Sequence, residues 1–129
     1  MNISVIVPLF NESESLQILF DEIQAVIIDC NYSYEIIFVD DGSTDKTQQT
    51  LVNMVELYSE LGVIVFSRNF GKEQAIRAGL IASRGDAAII MDADFQHPIA
   101  LIDDFVKHWH SGYEMVYAVQ EKRKFEGFI

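Results

Sequence analysis

Five short apolar runs punctuate this chain: Ile3 to Val7, Glu35 to Val39, Val63 to Phe66, Ala87 to Met91 and Glu114 to Val119. Most of them lack the every-second-residue polarity of a strand with one wet face, so they belong in a sheet covered on both sides. The stretches between them repeat apolar residues at helical spacing. Leu16, Leu19, Phe20, Ile23 and Val26 or Ile27 predict a first helix, with Asn11 and Glu14 placed as its capping box. A second is expected from Thr44 to Tyr58, with Leu51, Val55 and Tyr58 inward. A third is expected from Glu73 to Ser83, packing through Ala75, Ile76, Gly79, Leu80 and Ala82 and ending at Gly85 as a C′ residue. The fourth opens near Pro98 and gathers Ile102, Phe105, Val106 and Trp109 on one face. The order β-α-β-α-β-α-β-α-β predicts an α/β fold, a doubly wound, mostly parallel sheet with right-handed crossovers and helices on both faces.

Charge and cysteine content narrow the partners. Nine Lys and Arg against twenty Asp and Glu leave a formal net charge of −11 over 129 residues. A surface of that sign repels a phosphodiester backbone, so no nucleic acid is expected as a partner. An anionic ligand would have to be held locally, by oriented amides, a few basic side chains or a bridging cation. Cys30, the single cysteine, excludes an internal disulfide, and the N-terminal segment has no basic region ahead of its apolar residues. No apolar run approaches the roughly 20 residues that span a bilayer. A cytoplasmic location follows as the expectation. The last ten residues, 120–129, are read as completing no further element, as the start of something cut off.

Ligands of doubly wound sheets sit beyond the carboxyl ends of the strands. The polar oddities of this sequence fall there, in Pro8-Leu9-Phe10-Asn11-Glu12, Asp40-Asp41-Gly42-Ser43-Thr44-Asp45, Ser67-Arg68-Asn69-Phe70-Gly71-Lys72 and Asp92-Ala93-Asp94-Phe95-Gln96-His97-Pro98. Asp92 and Asp94, one residue apart at a strand end, can aim at one hard cation while Gln96 supplies a neutral oxygen, a donor set suited to Mg²⁺ or Mn²⁺. The same spacing also serves turns and helix caps. Asp40 and Asp41 can accept hydrogen bonds from a base or a ribose, and their mutual repulsion asks for a ligand or cation; Asp45 is expected to cap the following helix. Arg68, Lys72 and Arg77 either meet phosphate or neutralise the acids around them. No Gly-x-Gly-x-x-Gly follows the first run and no phosphate-binding lysine loop is present, which argues against dinucleotide oxidoreductases and P-loop NTPases. His97, His108, His110, Cys30, Met54 and Met91 are read as structural or surface residues.

Taken together and in order, Val7 to Glu12, Phe38 to Asp45, Arg68 to Lys72 with Ala75 and Gly79, and Met91 to Pro98 resemble the glycosyltransferase family 2 pattern, nearest to its polyprenyl-phosphate sugar transferases. The resemblance implies a GT-A fold, with residues 1–129 as the nucleotide-sugar-binding part, ahead of an acceptor-binding region. It places Pro8, Phe10, Asn11, Glu12 and Asp41 around the nucleotide, Asp40 near the base, and Arg68, Asn69, Lys72 and Ala93 along the same site. Asp92 would face the ribose or sugar and join Asp94 and Gln96 around Mg²⁺ or Mn²⁺, with Asp92 and Asp94 as the catalytic pair. Arg123 resembles the start of a basic segment that reaches the diphosphate or a lipid phosphate. The implied reaction is inverting transfer of a hexose from a donor of the UDP-glucose or GDP-mannose type to a polyprenyl phosphate, on the cytoplasmic face of a membrane. Two rivals are a Mg²⁺-dependent phosphoacceptor receiver domain and a non-catalytic nucleotide-binding module.

Overall fold

A computed structural model of the chain describes residues 2–30, 32–93, 115–117 and 126–128. In it β1 (Asn2–Leu9), α1 (Leu16–Cys30), β2 (Ser33–Asp40), α2 (Thr47–Leu57), β3 (Leu61–Val65), α3 (Lys72–Ala82), β4 (Ala87–Ile90), β5 (Met115–Tyr117) and β6 (Glu126–Phe128) follow one another. They build a six-stranded sheet in the order β3-β2-β1-β4-β5-β6. The first five strands run parallel to their neighbours, and β6 is antiparallel to β5.

Every residue of β1 from Ile3 to Leu9 is buried, the result of covering both faces of the central strand. Its odd-numbered side chains, Ile3, Val5, Val7 and Leu9, join Leu16, Phe20, Ile23 and Ile27 of α1 and Leu51 and Met54 of α2 in one core. Phe20 anchors it, edge-on to Phe38 at 6.4 Å between centroids and against Tyr58 at 4.4 Å. On the opposite face Ile6, Ile37 and Val39 meet Ala75 of α3, with Ile64, Phe66, Ala78 and Ile90 packed against them. The expected two-sided α/β sheet is therefore present.

Several local expectations are corrected. Asn11 does not cap α1: it adopts a left-handed φ of 55° and turns to the neighbouring loop, while the carbonyl of Ser15 accepts the first helical bond from Leu19 at 2.9 Å. The second helix starts at Thr47 rather than Thr44 because the acidic turn before it is held by side-chain bonds of its own. Val55 is 38% exposed, and Met54 takes the inward place one residue earlier on the wheel. Leu80 and Ala82 of α3 face solvent, leaving Ala75 and Gly79 as its buried residues. Gly85 is not a left-handed cap. The α3 C-cap is Ser83 in extended backbone, and Gly85 instead lets the chain approach β1, where a Cβ would lie 2.6 Å from Ser4 Oγ. Residues 126–128, expected to complete nothing, form an edge strand too short and too glycine-weakened to show a period. The fourth helix expected from Pro98 lies outside the described residues.

Gly79 sets how closely α3 lies on the sheet. A Cβ there would stand 2.4 Å from Ile6 Cγ2 and 3.3 Å from Val39 Cγ2, both on stiff β-branched side chains. Gly79→Ala is expected to cost about 1–3 kcal/mol by overpacking, despite its better helix propensity. Urea denaturation checks this, and in a double-mutant cycle Gly79→Ala with Ile6→Ala should cost less than the sum of the two single changes, because the shortened side chain removes the clash.

Candidate functional site

The strand order reverses between β1 and β4: the chain winds outward from one edge of β1 through β2 and β3, then returns to its other edge with β4. Crevices form beyond the carboxyl ends of strands at such a point. A cleft of about 320 Å³ opens there, lined by Pro8, Leu9, Phe10, Glu12, Asp41, Lys72, Asp92 and Ala93. Each residue has a clear origin in the fold. Pro8 and Leu9 end β1, Phe10 and Glu12 follow it, Asp41 follows β2, Lys72 opens α3, and Asp92 and Ala93 follow β4.

Two of the rim loops are stapled to each other. Asn11 donates its N–H to Ser43 Oγ at 2.8 Å, and its side-chain carbonyl accepts the N–H groups of Thr44 at 2.8 Å and Asp45 at 3.3 Å. Glu12 donates its N–H to Thr47 Oγ1 at 2.9 Å. Asp45 accepts from the Thr47 N–H and hydroxyl, at 2.9 and 2.5 Å, but it stands one residue ahead of the N-cap expected of it: that position falls to Lys46, which makes no side-chain capping bond. The Thr47 hydroxyl is also the main reason the Asp45 carboxyl is held below the usual carboxylate range. Glu12 Oε1 accepts from the Ser15 hydroxyl at 3.0 Å.

The two adjacent acids are treated differently. Asp41, 5% exposed, accepts at Oδ1 from the N–H groups of Phe70 (2.8 Å) and Gly71 (3.2 Å), and at Oδ2 from Gly71 N–H and Asn69 Nδ2, both at 3.2 Å. One carboxylate thus shapes the loop that precedes α3, and it stands at the N-terminal end of that helix, where negative charge is favoured. Asp40 is fully buried and does not face the rim. Its Oδ1 accepts from the N–H of Ser43, at 3.1 Å, and from the Ser43 hydroxyl, whereas its buried Oδ2 has no donor among the described residues. N–H and hydroxyl donors stand against both members of the pair, Ser43 on Asp40 and the Asn69–Gly71 segment on Asp41.

Of the basic residues, Lys72 reaches across the cleft and pairs with Asp92 Oδ2. Arg68 lies with its guanidinium carbon 4.7 Å from the centroid of the Phe70 ring, which is itself edge-on to Phe66 at 5.6 Å. Arg68 and Asn69 therefore support the rim without lining the cleft, and Arg77 is exposed on α3. Asn11 borders a separate hollow of about 330 Å³ with Glu12, Ser13, Glu14, Ser15 and Asp45. Asp94, Gln96, His97 and Arg123 lie outside the described residues. Among the described residues no group of three or more His, Cys, Asp and Glu gathers as a metal site would. The sequence reading passed over Leu9 as a wall of the cleft, and Ser43 and Thr47 as the staples between loops. Their signal was a hydroxyl residue two or three positions after an acid, Ser43 after Asp40 and Thr47 after Asp45.

Comparison with known proteins places this cleft in context. The model of Glycosyl transferase family 2 matches residues 4–128. A prophage bactoprenol glucosyl transferase homolog of Escherichia coli is 39% identical over 128 residues, which are 98% of this chain and 42% of that protein. The mannosyltransferase of Pyrobaculum calidifontis, solved with GDP-Man and Mn²⁺, superposes with a TM-score of 0.58 at 27% identity, over 77% of this chain and 30% of that one. S. aureus TarS 1–349 in complex with UDP gives a TM-score of 0.57 at 26% identity, over 85% of this chain and 33% of that one. The chain spans about two-fifths of the length of the curated relatives it matches.

Proposed function

The chain belongs to glycosyl transferase family 2, and from that premise we propose that residues 1–129 are the donor-binding part of an inverting, divalent-cation-dependent hexosyltransferase. The proposed donor is a nucleoside-diphosphate hexose of the UDP-glucose or GDP-mannose type. The proposed acceptor is a polyprenyl phosphate presented at the cytoplasmic face of a membrane, in line with the bactoprenol glucosyl transferases among its relatives. Among the described residues no helix is long and apolar enough to cross a membrane.

The observation that carries this reading is the charge of the cleft. Its lining sets three carboxylates, Glu12, Asp41 and Asp92, against Lys72. A diphosphate cannot settle there without cationic help. Asp92 already holds a cationic group in the cleft, which supports a fit to a cation, and it would do so with Asp94 and Gln96. When bound, Mg²⁺ or Mn²⁺ supplies Lewis-acid neutralisation of the departing diphosphate. The chain's own residues do the rest. Phe10 offers a ring at the mouth of the cleft for a base, whereas Asp40, buried and absent from the cleft lining, is not placed to meet it. Pro8 and Leu9 form an apolar wall, and Lys72 is within the cleft to meet a phosphoryl oxygen. Transfer forms the bond from an acceptor oxygen to the anomeric carbon as the bond to diphosphate breaks, the electron pair leaving with the nucleoside diphosphate. A lipid phosphate is already ionised, so it asks for little general-base assistance.

The receiver-domain rival is overturned by the family match and by topology. A receiver has the flavodoxin-like strand order 2-1-3-4-5, whereas the order here is 3-2-1-4-5-6. Calorimetric titration with UDP-glucose and GDP-mannose tests the proposal. One of them is expected to bind in the presence of Mn²⁺ and to lose at least about tenfold in affinity when EDTA replaces the metal. Binding indifferent to metal would refute the cation-dependent site. Metal-dependent binding without transfer of labelled hexose to a polyprenyl phosphate by the whole protein would favour a non-catalytic nucleotide-binding module.

A further inference from the structure

We infer that Lys72 is the resident counter-ion of Asp92 in the donor-free protein, so that the cleft admits a divalent cation together with a nucleoside diphosphate in preference to the bare ion. This rests on the donor-binding reading above and concerns the order in which that site fills.

Three features of the cleft lead to it. The Lys72 side chain is 53% exposed while the Asp92 side chain is 18% exposed, and the two meet directly. The lysine is thus the movable member of the pair and the aspartate the fixed one. Secondly, the root of Lys72 is held: Gly71, at a φ of 105°, gives its N–H to both oxygens of Asp41, so the four-carbon stem swings from a stationary point. Thirdly, the other acids of the cleft are supplied from within the fold, Asp41 by amide donors and Glu12 by the Ser15 hydroxyl. Neither needs a mobile cation.

The consequence is a competition. A bare divalent ion approaching Asp92 must displace the ammonium and leaves it only solvent in exchange. A cation arriving with a diphosphate brings phosphate oxygens as further ligands, and the displaced ammonium gains a phosphoryl oxygen in the same cleft. An exposed ammonium–carboxylate pair is weak enough to exchange in this way on each binding event.

The test separates the two ligands. Mn²⁺ binding is followed by electron paramagnetic resonance without nucleotide, and UDP and GDP binding by calorimetry at saturating Mn²⁺, for the unaltered protein, Lys72→Met and Lys72→Arg. Lys72→Met is expected to bind bare Mn²⁺ about fivefold more tightly, the equivalent of removing about 1 kcal/mol of competition, and to bind the nucleotide more weakly. Lys72→Arg should keep both properties. Lys72→Gln serves as a second neutral variant, with the melting curve as the check on folding. Unchanged or weakened Mn²⁺ binding in folded Lys72→Met and Lys72→Gln overturns the inference while leaving the donor site intact. Failure of the unaltered protein to bind either nucleotide with Mn²⁺ overturns the donor-binding reading itself, and the inference with it.

Discussion

Gly42→Ala is expected to lower stability by about 3 kcal/mol and to abolish metal-dependent nucleotide binding even where the chain still folds. Gly42 has a φ of 73°, a region that side chains with a Cβ enter at a cost. The larger penalty is steric. An added Cβ would stand 2.1 Å from the carbonyl carbon of Arg68, 2.4 Å from the amide nitrogen of Asn69 and 2.6 Å from the Arg68 oxygen. These are backbone atoms, which cannot rotate away as the end of a side chain can. Relief requires the whole loop before α3 to back off, and that loop carries the N–H groups bound by Asp41 and the root of Lys72. Urea denaturation measures the first effect and calorimetry with UDP or GDP and Mn²⁺ the second. A variant with unchanged denaturation midpoint and unchanged affinity would show that the two loops are free to separate, and the account of the rim would fail.

That close approach illustrates what could and could not be read from the sequence. The strand cores were legible because a doubly covered sheet leaves no polar alternation: Ile3 to Val7 and Glu35 to Val39 lie inside β1 and β2. Boundaries blurred where one residue interrupts a pattern without interrupting the ladder. Gly62 hides the start of β3, yet it pairs with Ile37. On α2 the helical period alone could not choose between Met54 and Val55, and the direction of the α1 contact decided it. At the site, Pro8, Phe10, Glu12, Asp41, Lys72, Asp92 and Ala93 were named in advance and line one cleft, because strand-end position is enough to place them. What each side chain does there was not legible. Asn11, Asp40 and Asp41 are polar residues of similar size that all accept backbone N–H groups, and only the fold decides that Asn11 serves the neighbouring loop, Asp40 its own turn and Asp41 the loop before α3. Asp41, assigned to the nucleotide alone, turned out to carry the loop that faces it.

Asp41→Ala is therefore expected to act on structure and on binding together. The carboxylate accepts four bonds from the loop, through two backbone N–H groups and the Asn69 amide. Alanine leaves those part-buried donors to water at the edge of the cleft, and losing one side chain that accepts from several N–H groups costs about 2 kcal/mol. Asp41→Asn should cost less, about 1 kcal/mol, because one carbonyl oxygen can still serve the Phe70 and Gly71 N–H groups while the new amide opposes Asn69 Nδ2. Hydrogen exchange distinguishes this from a general loosening. Protection of the Phe70 and Gly71 amides should collapse in Asp41→Ala, while the Ser43 amide, held by Asp40, should keep its protection. Nucleotide affinity should fall in both variants, more in alanine, since the base of Lys72 moves with the loop. Equal protection of Phe70 and Gly71 in the alanine variant would mean that the loop holds itself, and Asp41 would then be left with the ligand as its sole partner.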